Sequence, residues 1–317
     1  MNPKVAKFAL RAQRWNDWLV AQVLFALLRL VRRLPARAGL AAADRAARLL
    51  GPLTDRHRLA KDNLAHAFPE KDAAWVERTA RENWGQMGRI AAEFVYLDDL
   101  FDFDPERPGE GRVEVEGIET FVELRDRKGP FIFFTGHLGC FELLPIGAAA
   151  FGLEFTALFR QPNNRYIAKE VQSARRTASG HLVPSKAGAA WTLAGILQRG
   201  GAVGMLVDQK FKKGVETTFF GRPCMTNPLL PKLARQFDAE VYPARSIRLP
   251  NGRYRLELQK RLDLPRNAAG EIDVAASCQC LNDVVEGWVR EYPEQWMWFH
   301  DRWNAKSRAT KRKRNTR

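Results

Sequence analysis

The chain has 317 residues, 45% hydrophobic and 27% charged, which supplies a substantial core and excludes extensive disorder. Its formal charge of +15 sits at the two ends: residues 1–37 carry eight Lys/Arg against one acid, residues 306–317 seven against none. The body between them is close to neutral, which disfavours a nucleic-acid-binding protein, while basic ends suit an anionic membrane or are merely solvated.

The first predicted element is a helix over Trp18–Val31, 14 residues flanked by Arg11, Arg14, Arg32 and Arg33. At about 21 Å it falls short of the roughly 30 Å hydrocarbon core, and it carries Gln22 and Arg29. It spans a bilayer only with tilt and snorkelling. Lying in the interface, with Trp15 and Trp18 at headgroup level, suits it better. Residues 1–37 are therefore expected to form a membrane-associating segment with no cleaved signal peptide. Residues 38–305 form one α/β domain in this reading, and 306–317 a basic disordered tail.

A helical front follows: Gly39–Leu50, Arg56–Phe68 ending at Pro69, and Ala73–Phe94. From Arg112 the texture alternates. Strands are expected at Arg112–Val115, Phe131–Phe134, Glu154–Phe159, Ala202–Val207, Glu240–Ile247 and Tyr254–Leu258. Helices are expected at Leu138–Ala150, Tyr166–Ser179, Ala187–Gln198, Pro228–Phe237 and Val274–Glu291. Such alternation implies an α/β fold with a largely parallel central sheet flanked by helices, and functional groups at the carboxyl ends of its strands.

His137 and Glu142 stand at such an end, after Phe131-Ile-Phe-Phe-Thr-Gly. On one helix, residues five apart are rotated by about 140°, so the two cooperate only if His137 lies on a loop and Glu142 in the first helical turns. A neutral imidazole there takes a proton from an alcohol, and the positive end of the helix favours that form. The alternative is a His that caps a helix beside a solvated Glu. Cys140, between them, reads as a packing residue. With Cys224, Cys278 and Cys280 it matches neither a zinc nor a disulfide pattern, so a reducing compartment is the simplest account.

Further along, Arg160-Gln-Pro-Asn163-Asn164 after a strand reads as an anion site or an ordinary polar turn. Arg175-Arg176 and Lys186 are cations on the next helix and loop. Val203–Val207 leads into Asp208-Gln209-Lys210, an apolar strand ending on a carboxylate and an amide, suited to orienting a partner or capping a turn. Phe219-Phe-Gly-Arg222 offers a glycine turn between aromatics. Pro293-Glu-Gln-Trp-Met-Trp-Phe-His300-Asp-Arg-Trp303 suits core packing or a lipid-facing surface.

Together His137-x4-Glu142, Arg160-x-Pro-Asn-Asn, Arg176 to Lys186, Asp208-Gln209 and the final aromatic block resemble the lipid A biosynthesis lauroyl/myristoyl acyltransferase family. Asn63-Leu-x3-Phe-Pro and Gly88-Arg89-x3-Glu93 extend the resemblance to residues 15–304. Its His-x4-acid pair is shared with glycerolipid acyltransferases, which remain the rival within the enzyme class. Cys140 and Phe141 depart from the commoner Asn-Trp at those places, and Asp301 stands where a basic residue is frequent.

The resemblance implies an O-acyltransferase of the cytoplasmic face of a bacterial inner membrane. His137 would be its general base, Glu142 or the Asp208 side of the cleft would orient the ring, and Arg176 and Asp208 would complete the catalytic set. Arg160, Asn163, Asn164, Lys186 and Gln209 would bind substrate. The donor would be the thioester of acyl carrier protein, a co-substrate rather than a cofactor, and no metal is called for. The acceptor would be a phosphorylated, Kdo-bearing glycolipid with a 3-hydroxyacyl chain.

Overall fold

Alternate side chains of β2 (Phe131–Thr135) enter two different cores. Phe131 and Phe133 join a cluster with Phe121, Leu153 and Tyr242, while Ile132 and Phe134 join one with Val285 and Trp288. Phe131–Phe134 are buried on both faces and leave no polar position, which is why that run is apolar until the half-buried Thr135 ends it.

In the computed structural model, which describes residues 3–104, 106–107, 109–170 and 181–303, six further strands join β2 in one sheet. They are β1 (Val113–Glu116), β3 (Thr156–Phe159), β4 (His181–Pro184), β5 (Ala202–Leu206), β8 (Glu240–Arg248) and β9 (Tyr254–Leu258). The order is β1-β9-β8-β2-β5-β3-β4, and every neighbouring pair is parallel except β8 with β9. The fold is thus α/β with a mostly parallel central sheet flanked by helices. α5 (Ile118–Asp126) and α6 (Leu143–Ala150) contribute Phe121, Leu124 and Ala148 to one core. α7 (Ala189–Gln198), α8 (Leu229–Phe237) and α9 (Val274–Glu291) contribute Leu193, Leu233 and Val285 to the other. β6 (Val215–Phe219) and β7 (Arg222–Thr226) form a separate antiparallel hairpin, which the sequence reading had only as a glycine turn.

The helical front comprises α2 (Ala36–Leu50), α3 (Asp55–Ala67) and α4 (Ala73–Leu100). Asp72 caps α4 by accepting from Trp75 N–H at 2.7 Å. α4 runs six residues beyond the expected Phe94 because Tyr96, Leu97 and Leu100 continue its buried face. Two asparagines of this front grip the end of the chain. Asn63 donates to the carbonyls of Trp298 (2.9 Å) and His300 (3.3 Å), and Asn83 to those of Glu294 (3.0 Å) and Trp296. Trp296, Trp298 and Trp303 are buried. The aromatic block is therefore core, and its reading as a lipid-facing surface is corrected.

α1 (Pro3–Arg32) precedes the front and extends well beyond the expected 14 residues. Tyr96 of α4 donates to the carbonyls of Val31 and Leu34, and Arg32 pairs with Asp99. Leu19, Val23, Leu27 and Leu30, spaced on one helical face, remain exposed. No helix among the described residues is long and apolar enough to cross a membrane.

Candidate active site

β2 and β5 are parallel neighbours with Thr135 opposite Leu206. Two residues past that last pair lie His137 and Asp208, so the register sets them side by side. The chain leaves β2 toward β3 on one side of the sheet order and leaves β5 toward β8 on the other. Adjacent parallel strands whose exits diverge open a crevice at their carboxyl ends, the favoured place for a ligand in this class of fold.

Asp208 meets His137 twice: Oδ1 lies 2.7 Å from the ring Nδ1, and Oδ2 accepts the His137 backbone N–H at 2.7 Å. The indole N–H of Trp296 donates to Oδ2 at 2.8 Å. Burial opposes the charge of Asp208, but the His137 ring, its backbone N–H and Trp296 outweigh burial and hold the carboxyl well below the ordinary carboxylate range. An ionised carboxylate only accepts, so in the neutral imidazole that a general base requires Nδ1 carries the hydrogen and Nε2 the lone pair. Gln209 Nε2 stands 2.9 Å from that lone pair.

The expected helix from Leu138 begins instead at Leu143. Gly139 interrupts it: its φ is +55°, and a Cβ there would lie 1.9 Å from the carbonyl oxygen of Ser246. Only glycine passes the β8 backbone so closely. Gly139 N–H donates to Gln295 O at 3.3 Å, and Leu138 bridges to Trp296. His137 thus sits on the loop ahead of α6 and not in its first turn. Hydrogen bonding by Asp208 sets the tautomer. The expectation that named Glu142 first as the orienting partner is amended accordingly: the carboxylate on the ring nitrogen belongs to Asp208. Glu142 is buried at the N-cap of α6 and lines the same cavity as His137.

That cavity measures about 700 Å³, within the range of roughly 300–1,000 Å³ usual for ligand sites. Its inner walls are apolar, including Phe121, Phe133, Phe155, Ala244 and Leu258, and its polar lining includes His137, Glu142, Arg160, Asn163, Gln209 and Lys210. Gly204 in β5 keeps one wall open to Phe155, whose ring lies 2.7 Å from where a Cβ would stand.

The remaining expected residues are distributed as follows. Arg160 and Asn163 are exposed on the cavity lining, and Gln209 is half-buried there, against the His137 ring. Lys186 is exposed beside the lining residue Ser185. Asn164 turns elsewhere: it donates to Asp17 O of α1 at 2.6 Å and accepts from Tyr166 and Ile167 N–H at 3.0 and 3.3 Å. Arg176 and its neighbour Arg175 lie outside the described residues. Cys140 is buried, and burial first, then Glu93, raises its thiol well above the ordinary range, which removes it as a nucleophile.

Three supports escaped the sequence reading. Trp296 holds Asp208, Arg302 donates to Gln209 O at 3.2 Å, and His300 Nε2 accepts from Lys210 N–H at 3.2 Å. Burial lowers the His300 pKa to about 4, so the ring stays a neutral acceptor. The density of N–H-bearing aromatics beside His and Arg was their only signal.

Residues 3–305 match the family model described as bacterial lipid A biosynthesis acyltransferase. The chain is 22% identical over 298 residues to a lipid A biosynthesis acyltransferase of Haemophilus influenzae, covering 92% of this chain and 88% of that protein. It is also similar to the crystal structure of the 1-acyl-sn-glycerophosphate acyltransferase PlsC from Thermotoga maritima. There the TM-score is 0.38 at 14% identity, over 87% of this chain and 99% of the other.

Proposed function

The chain belongs to the bacterial lipid A biosynthesis acyltransferase family, and we propose that it moves a fatty acyl group from the thioester of acyl carrier protein to a hydroxyl. The acceptor is a 3-hydroxyacyl chain on a phosphorylated, Kdo-bearing lipid A precursor. The observation that carries this reading is the Asp208–His137 pair, with its Nε2 lone pair at the polar end of an apolar cavity.

His137 Nε2 takes the hydroxyl proton as the oxygen attacks the thioester carbonyl. The tetrahedral intermediate collapses with cleavage of the C–S bond, and the leaving carrier sulfur takes the proton from the His137 imidazolium, which releases the free thiol and restores the neutral ring. Asp208 stabilises the transient imidazolium. A thioester is already activated, so no enzyme nucleophile is required. The acyl chain occupies the apolar walls, and Arg160, Lys186 and Lys210 at the polar end meet the acceptor phosphates.

The exposed stripe of α1, flanked by arginines, supports a site of action at an anionic membrane surface, which in this reading is the cytoplasmic face of the inner membrane. An acidic carrier protein is drawn to the basic ends of the chain.

Purified protein incubated with acyl-carrier donors and a Kdo-lipid acceptor should release free carrier thiol and yield an acceptor heavier by one acyl group. The His137→Ala protein should fold, bind vesicles and transfer nothing measurable. Transfer by that variant at a rate near wild type overturns the mechanism; transfer to lysophosphatidate but not to the Kdo-lipid overturns the acceptor.

A further inference from the structure

The lone pair that a general base must offer to substrate is already occupied. Asp208 forces the hydrogen onto Nδ1, so the Gln209 amide at 2.9 Å can only be the donor to Nε2. An acceptor hydroxyl cannot reach that nitrogen along the same line while the amide stays.

The backbone around Gln209 is pinned. Its carbonyl accepts from Arg302, which is buried and also donates to Met225 O at 2.7 Å. The next N–H, of Lys210, donates to His300. The Gln209 side chain is half-buried on the cavity lining. Rotation about its side-chain bonds is therefore the easy motion at this point, a change of rotamer on a fixed hinge.

Resting on the reading of His137 as base, we propose that Gln209 is a displaceable cap. Until the acceptor arrives, its amide N–H holds the Nε2 lone pair and keeps water from being activated there. When the acceptor binds, its hydroxyl takes that place, and the amide N–H turns to the hydroxyl oxygen and stabilises the alkoxide as the proton passes to Nε2. Selectivity for the lipid hydroxyl over water then comes from which of them can displace the amide. Water attacking the same thioester would give a free fatty acid and the carrier thiol, so the two routes are separable by product.

Among the described residues, the charged and titratable groups around the ring are Asp208 on Nδ1, Glu142, Lys210 and Arg160 on the cavity lining, and His300 and Arg302 behind Asp208.

Two variants of the full chain test the cap. Gln209→Ala should transfer roughly 100-fold more slowly, the cost of one donor to a developing oxyanion, while acceptor-free hydrolysis of the acyl-carrier thioester rises above wild type. Gln209→Glu should move the acid limb of the pH–rate profile upward by about 1–3 units, since a neighbouring carboxylate favours the protonated ring. Transfer and hydrolysis falling together in Gln209→Ala, or an unmoved acid limb in Gln209→Glu, overturns the cap. If either occurs while His137→Ala is inactive, the cap alone fails; if His137→Ala transfers normally, the base and the cap fail together.

Discussion

Two buried polar clusters lie on either side of the Gly139 loop, and they are built to opposite ends. In one, Arg248 of β8 donates to Glu93 of α4 through Nε (2.7 Å) and Nη2 (2.5 Å), while Tyr254 O–H donates to the same carboxylate at 2.9 Å. Gln86 accepts from Arg248 at 3.2 Å, and Gln295 closes both backbone groups of Arg248 at 2.9 and 3.0 Å. Burial opposes the arginine charge, yet Glu93 leaves it more firmly protonated than an ordinary arginine. In the other cluster, Asp208 is satisfied by His137 and Trp296, but one nitrogen of His137 faces a cavity behind a single neutral amide. A cluster with its donors matched holds elements together; one with a lone pair at a cavity is available for chemistry.

The contrast should break most sharply in Asp208→Asn. An amide can present its N–H to Nδ1 and favour the wrong tautomer, so kcat should fall by about 10⁴, with vesicle binding retained, as a single-turnover assay will show. Glu93→Gln should do the reverse, removing the counter-charge of buried Arg248. It should cost about 3–5 kcal/mol of stability, read from a lower urea midpoint at unchanged slope, while the folded enzyme keeps most of its turnover.

His300 sharpens the comparison from the site side. Its folded pKa of about 4 lies below the ordinary 6.5, so between those values the unfolded chain binds more protons and stability falls as pH drops. Melting curves from pH 6.5 to 4 should lose on the order of 1–3 kcal/mol, and His300→Gln should flatten that slope. The smallest effect is expected from Trp296→Phe, which removes one donor to the Asp208 carboxylate. About 1.5 kcal/mol corresponds to roughly a tenfold loss of kcat, with Asp208 still paired to His137.

Much of the frame was legible in the chain. Tyr254–Leu258 and Val274–Glu291 fall where the alternating pattern places them, and the structure adds Asp273 as the cap of that helix, accepting from Ala275 and Ala276 N–H. The β2 to α6 segment was half legible: strand and loop are as expected, but local pattern continued the helix back to Leu138, and the contact of Gly139 with Ser246 belongs to a strand more than a hundred residues later. The β6–β7 hairpin was hidden because its strands, Val-Glu-Thr-Thr-Phe and Arg-Pro-Cys-Met-Thr, lack clean apolar alternation. Asn164 looked like a ligand contact because a cap and a recognition amide are the same chemical group.

Local interactions and side-chain chemistry act over a few residues, so the sequence by itself determined the alternating α/β order, the apolar strands and the placing of His137 and Asp208 at strand ends. Which carboxylate meets the imidazole was decided only by tertiary structure. Glu142 is five residues from His137 and Asp208 is 71 residues away, but parallel register erases that distance once β2 and β5 are neighbours. The same holds for the final aromatic block: its composition suited a membrane or a core, and Asn63 and Asn83 of the helical front drew it inward, where Trp296 holds the carboxylate.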